Sequence, residues 1–565
     1  MRAFPSAGPV LAALSALALG ACGGSDASLP QLSPATPASL SGTCESLAGR
    51  LATLANTSIT ATSTVAAGAL SVGGQAVPEH CLVTGRMHQR VSAVDGQTYA
   101  IGFEMRLPRA WNGRFFHQAN GGLDGNVVAA TGATGGGPLT HALHKGFAVI
   151  SSDAGHTAAQ IPAFGLDPQA RLDYGYQAVG KLTPMAKGVI QAAYGKGPDR
   201  SYIGGCSNGG RHTMVAAARY ADQYDGFLAG APGYNLPKAA VANIFGAQRY
   251  AGVATNPADL STAFTAAERT LVSQRVLAKC DALDGATDGL VQDVAACQAA
   301  FSLASDVPTC SGERDGSCLS AAQKSAIAPI FSGAVTSTGA PVYASFPFDA
   351  GLGSPGVAFW EFTASMVLDP GAVGFVFQVP PVNPAGFNPP QFSLTANIDA
   401  LVQAINASNG TYTESAMSFM TPPNPTALGT LKGRGAKLMV YHGVSDAIFS
   451  VNDTETWYRG LQSANSGNAA DFARFYRVPG MGHCSGGPAT DQFDMLASLV
   501  DWVENGRAPD QVTASARGAG NAGGVNPEVP AGWAADRTRP LCPYPQVARY
   551  KGTGSLESAA SFECR

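Results

Sequence analysis

The sequence predicts an α/β chain in which a doubly wound, mostly parallel sheet is interrupted by one long insertion. The first sign is a set of short apolar runs that end in Gly-rich or Asp-containing turns. They are residues 146–150 before Ser-Ser-Asp, 201–203 before Gly-Gly-Cys-Ser, 227–229, and 437–441 before His-Gly. Unbroken apolar runs of this length suit strands buried on both faces. The second sign is Ala-rich sequence with helical spacing between them, at 185–193 and 212–220. Strands alternating with helices build parallel sheets. The third is a change of pattern from about Leu236 to Thr430, where Pro, Gly, Ser and aromatic residues replace strand alternation until Lys437. Residues 236–432 therefore read as an inserted lid domain, and residues 44–235 with 433–565 as the domain that carries it.

With 565 residues, 45% of them hydrophobic and only 13% charged, the chain can bury a large core. A formal net charge of −4 gives no electrostatic case for nucleic acid as a partner. The first 22 residues carry Arg2, an apolar run over 10–19, and small residues before Cys22, the features of an export signal with a lipoprotein cleavage site. Residues 1–22 are thus expected to be removed up to Cys22, which would carry the lipid; ordinary cleavage and secretion is the alternative. The apolar run is too short to span a bilayer, which takes about 20 residues. Contact with a membrane is expected only through that anchor, in the outer membrane or periplasm. Residues 23–43, rich in Gly, Ser, Pro and Ala, read as a flexible tether. Nothing in the sequence sets an oligomeric state.

Gly205-Cys-Ser-Asn-Gly209 matches G-x-S-x-G, a turn whose glycines let a strand reverse sharply into a helix and expose the serine oxygen. With 68 glycines the pattern arises by chance about half a time in such a chain, so context decides. An apolar strand enters the motif and an Ala-rich helix leaves it, as a nucleophile elbow requires. Ser207 is then the candidate nucleophile of an α/β-hydrolase fold. In that fold the acid and base follow the serine in the order Asp or Glu, then His. Residues 213–441 contain no histidine, which leaves His442 or His483 as base. His442 ends a buried strand and reads as a core histidine. His483 lies in a flexible loop, Pro-Gly-Met-Gly-His-Cys, after the strand at 475–478, and is the candidate base. Asp446, in the loop after the strand at 437–441, is the candidate acid, with Asp453 as its competitor.

Setting Cys22 aside leaves 10 of the 11 cysteines, an even number that suggests five disulfides in an exported chain. Sequence alone does not determine the pairing. Near-neighbour spacing favours Cys44–Cys81, Cys280–Cys297, Cys310–Cys318 and Cys542–Cys564, leaving Cys206 and Cys484 for each other. These two flank the candidate nucleophile and base. One bond with Cα atoms about 5.5 Å apart would tie together two loops that must meet.

These segments, with Tyr224-Asp-Gly-Phe-Leu-Ala-Gly-Ala-Pro-Gly-Tyr234 and Tyr441-His-Gly-Val-Ser-Asp446, resemble the tannase and feruloyl esterase family over about residues 44–564. Within the family the likeness extends to members that act on hydroxyethyl terephthalate esters. The resemblance implies a hydrolase domain, a lid, five disulfides and an oxyanion hole at the backbone amides of Gly122 and Asn208. It also implies a structural calcium site in the lid. There Asp281, Asp284 and Asp288 would supply carboxylates, and Ala286 and Leu290 carbonyl oxygens, hard donors of the kind calcium takes. No catalytic cofactor is expected.

The expected reaction is hydrolysis of an aromatic acid ester, of feruloyl, galloyl or hydroxyethyl terephthalate type, through an acyl-enzyme. Between Lys324 and Lys432 there is no Lys, Arg or His, but nine Phe and Trp residues fall between positions 346 and 392. Such a lid can enclose a neutral ring but offers no bidentate partner for a carboxylate. Neutral diesters are therefore expected to be better substrates than a terephthalate monoester. The competing readings are an envelope lipoprotein that binds without catalysis, and a peptidase or amidase.

Overall fold

The computed structural model describes residues 29–565. The signal sequence and Cys22 lie outside the described residues. Nine strands form the main sheet: β1 (Thr57–Val65), β2 (His80–Val91), β3 (Thr98–Pro108), β4 (Arg114–Gln118), β5 (Ala148–Ser152), β6 (Arg200–Cys206), β7 (Gly226–Gly230), β8 (Lys437–Gly443) and β9 (Ala473–Val478). Their spatial order is β9-β8-β7-β6-β4-β5-β3-β2-β1. The six strands from β9 to β5 run parallel, and β3, β2 and β1 join them antiparallel. β2 alternates buried and exposed residues, as an antiparallel strand with one wet face does.

The parallel strands are buried on both faces. Phe115, Ile203, Phe227, Leu438 and Phe475 point into one core, with helices α1 (Ala178–Tyr194), α2 (Asn208–Arg219) and α3 (Val451–Ala464). Their neighbours Phe116, Tyr202, Leu228, Met439 and Tyr476 point into the other, against α4 (Met495–Asn505). After β4 the chain continues to β5 on one side, then returns through α1 to β6 on the other. The loops leaving β4 and β6 therefore diverge at the carboxyl ends of adjacent strands, the topological switch point where doubly wound sheets form their crevice.

Between β7 and β8 the chain makes helices from Leu236–Ala251 to Gly429–Gly433 and adds no strand to the main sheet. Their apolar core takes in Leu123, Ile448 and Phe449 from the loops after β4 and β8, so it is continuous with the crevice. Among the described residues no helix is long and apolar enough to cross a membrane.

One expectation is corrected by the structure. The later part of the segment read as a tether is attached to the body. Ala38–Ser39 pairs with Ala110–Trp111, the Gln31 amide donates to the Val503 carbonyl, and the Ala35 and Thr36 amides donate to Glu504 and Asp199. Its prolines leave few amides to satisfy, and carboxylates on the core supply the acceptors that a sheet would otherwise provide.

Candidate active site

The elbow is built by exclusion of side chains. A Cβ on Gly205 would stand 2.1 Å from the Ala119 carbonyl oxygen, and one on Gly209 2.3 Å from the same atom. Both positions must therefore be glycine. Between them Ser207 adopts φ 66° and ψ −128°, a sparsely populated conformation that turns its side chain out of the strand at the start of α2. The loop after β4 lies across it, with a Cβ on Gly121 reaching to 3.6 Å from the Ser207 Cβ.

Asp446 lies four residues from His442 in the β8 loop and is 2% exposed. Its Oδ1 accepts from the amides of Ile448 and Phe449, each at 3.0 Å, and its Oδ2 stands 2.7 Å from His483 Nδ1. Burial alone would raise this carboxyl, but the two imidazoles beside it, His483 and His442, hold it well below the ordinary carboxylate range. Since Oδ2 can only accept, His483 Nδ1 carries the proton and Nε2 presents a lone pair. Nε2 is buried without a partner. No hydrogen bond joins it to the Ser207 hydroxyl. Trp360 and Phe449 meet the imidazole edge-on, with ring centroids at 5.0 and 5.3 Å.

Asp453, the competing acid, instead accepts from Asn235 at 2.8 Å. His442 is a buried core histidine, with Nδ1 2.9 Å from the Thr454 hydroxyl. It also does something its position in a strand did not reveal. Its Nε2 stands 3.0 Å from the Phe449 carbonyl and 3.3 Å from Asp446 Oδ2, so a second imidazole N–H faces the acid. Spacing i to i+4 across the turn was the available signal.

All five expected disulfides are present. Cys206–Cys484 joins the elbow to the histidine loop, with Cα atoms 6.0 Å apart across 278 residues of chain. A Gly-rich segment covers it: a Cβ on Gly135 would lie 3.0 Å from the Cys206 Cβ, and the Gly136 amide donates to the Cys484 carbonyl.

Among the described residues the Gly122 and Asn208 amides donate to no protein acceptor. Gly122 has φ 64°, which a glycine adopts without strain. The two amides lie on the loop after β4 and at the first turn of α2, either side of the serine.

The acidic loop is more crowded than its sequence indicated. Asp281 Oδ1 accepts from the amides of Asp288 and Gly289, and Asp288 is ion-paired with Arg539 from the C-terminal tail. Asp284 Oδ2 is buried without a partner, and burial together with the nearby Asp288 and Asp281 charges pushes this carboxyl up to about 7. Among the described residues no group of three or more His, Cys, Asp or Glu side chains is placed to hold a metal ion.

Comparison with known proteins agrees with this architecture. The family model described as tannase and feruloyl esterase matches residues 81–565. Mono(2-hydroxyethyl) terephthalate hydrolase of Piscinibacter sakaiensis is 40% identical over 527 residues, covering 86% of this chain and 85% of that protein. Feruloyl esterase B of Aspergillus niger is 29% identical over 481 residues, covering 82% and 83%. Among solved structures, feruloyl esterase B of Aspergillus oryzae superposes with a TM-score of 0.73 at 23% identity, covering 92% of this chain and 99% of that one, which establishes a shared fold.

Proposed function

The chain belongs to the tannase and feruloyl esterase family and is a carboxylic ester hydrolase, and we propose that it cleaves neutral esters of aromatic acids through a Ser207 acyl-enzyme. The Asp446–His483 contact at 2.7 Å carries this reading, because it leaves a lone pair on Nε2 in a loop that Cys206–Cys484 ties to the elbow. His483 takes the proton of Ser207 as the hydroxyl attacks the ester carbonyl. The Gly122 and Asn208 amides receive the oxyanion. Imidazolium then protonates the leaving alcohol, and the same base activates the water that releases the acid.

Support for an aromatic acyl group comes from the edges of Trp360 and Phe449 at His483 and from the half-exposed Phe359 next to Trp360. Support for a neutral one comes from the cation-free stretch between Lys324 and Lys432. Arg171, which packs against this stretch, is stacked on Tyr412 and Phe419 and is 1% exposed. The relative that acts on a terephthalate monoester makes the contrast testable. We expect kcat/KM to be higher for bis(2-hydroxyethyl) terephthalate or methyl ferulate than for the monoester, and a clear preference for the monoester would overturn the specificity. Ser207→Ala should lower kcat by a factor of about 10⁵ or more and abolish labelling by an aryl phosphonate. Labelling that survives in this variant would favour a binding protein without catalysis. Hydrolysis of the corresponding anilides at ester-like rates would favour an amidase.

We also propose that residues 236–432 act as the lid, and that Asp281, Asp284 and Asp288 with the Ala286 and Leu290 carbonyls would close on a structural calcium ion, drawing together carboxylates that do not converge as they stand. The unpartnered Asp284 oxygen and the raised pKa of its carboxyl support this, since a cation would relieve both. Removing the ion would leave these carboxylates to repel one another, so chelation at neutral pH should lower Tm. No change in Tm with EGTA or added calcium would refute the site. Export with a lipid on Cys22 rests on residues 1–22, and the five disulfides accord with an oxidising compartment.

A further inference from the structure

We propose that Asp124 is a positioning residue for ester hydrolysis, holding the Gly122 and Asn208 amides in register through the side chain of Asn208. The proposal rests on the reading of those amides as the oxyanion hole and adds what keeps them together. They belong to segments that diverge from adjacent strands, and donors to an oxyanion must stand about 3 Å from one point. A misplacement near 1 Å can cost about a hundredfold in rate.

A hydrogen-bonded ring closes that gap. Asp124 is 8% exposed, and its Oδ2 accepts from Asn208 Nδ2 at 2.8 Å and lies 2.9 Å from His212 Nε2. The Asn208 Oδ1 accepts from Arg211 Nε at 2.6 Å. Arg211, fully buried, donates to the carbonyls of Tyr174, Gly175 and Met420. The Tyr174 hydroxyl donates to the Gly122 carbonyl at 3.2 Å, which returns the ring to the loop where it began. Asp124 is thus bonded to the side chain of one amide-bearing residue and lies two residues from the other.

The backbone gives an independent reason to assign a role to Asp124. Within Asn120–Gly125 the residues with positive φ are Gly122, Asp124 and Gly125, at 64°, 55° and 85°. Glycine takes such angles freely, whereas at Asp124 the conformation is strained and persists because the surroundings over-determine it. What it achieves is to aim the carboxylate back across the crevice at α2.

The test uses the full chain with Asp124→Ala, Asn208→Ala, the double variant and Asp124→Asn, each checked for folding by circular dichroism and Tm. For methyl ferulate we expect each alanine variant to lose about 10- to 100-fold in kcat with KM within about threefold. An aryl boronic acid, whose tetrahedral adduct on Ser207 puts an oxygen in the hole, should lose affinity by a similar factor, while ferulate, the product acid, should not. The double variant should be no worse than the worse single one, because both remove one contact. Asp124→Asn keeps an acceptor for Asn208 and should recover most of the rate, which keeps the proposal testable if Asp124→Ala does not fold. A folded Asn208→Ala or Asp124→Ala with kcat within twofold of the parent would overturn it. So would equal losses of boronate and product affinity, or a double variant whose losses multiply. Hydrolysis and boronate binding that survive Ser207→Ala would instead bring down the underlying reading of the site.

Discussion

Two groups of buried acids, one beside the sheet and one in the helical insertion, are held differently. Beside the sheet they meet positive or hydrogen-bonding partners: Glu504 is paired with Arg114 and accepts from Tyr202, Asp491 is paired with Arg517, and Asp446 faces two imidazoles. In the insertion, Glu361 has the Tyr250 hydroxyl and Asp369 the Asn243 amide, and burial pushes their carboxyls up to about 7 and about 8. Glu361 also borders a cavity of about 50 Å³ with Tyr250, Phe264 and Phe362. The lesson is about where charge resides. Beside the sheet Asp446, Glu504 and Asp491 are compensated ions, whereas burial pushes Asp153 up to about 7 and Asp453 up to about 6. In the insertion Glu268 is likewise paired, with Arg314, but Glu361 and Asp369 have no cation beside them and burial disfavours their charge.

The strongest way to break this contrast is to remove compensated charge on the sheet side. Asp446→Asn should cut kcat by about 10⁴, because the asparagine amide would favour the wrong His483 tautomer, while KM changes little. A loss of less than tenfold would mean that His442 or another group can orient the base. Next in size is the link between the two loops. A Cys206→Ala/Cys484→Ala variant, or selective reduction of that bond, should lower kcat/KM by about 10² by loosening His483 from Ser207. Full activity would refute a role for the disulfide in catalysis.

The smallest effect lies in the insertion. The folded pKa values of Glu361 and Asp369 stand above their unfolded values, so the folded state holds extra protons between about pH 4 and 8. Stability therefore falls as pH rises through that window. In Glu361→Gln/Asp369→Asn the drop in Tm between pH 5 and pH 9 should shrink by a few degrees, with little change at pH 5. An identical drop in parent and variant would show that these acids do not set alkaline stability.

Much of the site was legible because its chemistry is written in local patterns. The elbow glycines mark a turn that no side chain could enter. The absence of histidine from 213 to 441 reduced the choice of base to two, and the four short cysteine spacings isolated Cys206 and Cys484. Five of the six parallel strands were legible to within a few residues, since two buried faces demand unbroken apolar runs; β4 was not, because Arg114, His117 and Gln118 leave it only two apolar residues in a row. The antiparallel edge was less visible, because β1 and β2 bury a single face and their alternating residues resemble loop sequence. The attachment of residues 29–43 was missed for a related reason: side-chain carboxylates far along the chain satisfy its backbone, and composition does not register them.

Sequence by itself determined the fold class and the candidacy of Ser207, Asp446 and His483, and its short cysteine spacings favoured one set of five disulfides. Each follows from short-range chemistry, namely glycine sterics, residue order and spacing. Only the tertiary structure decided that His442 faces Asp446, that Trp360 and Phe449 wall the base, that Arg539 answers Asp288, and that Asp124 reaches Asn208. Those contacts join segments from 34 to 251 residues apart or depend on a turn's exact path. Apart from the i to i+4 spacing of His442 and Asp446, no local pattern encodes them, because they are by-products of how strands and insertion pack.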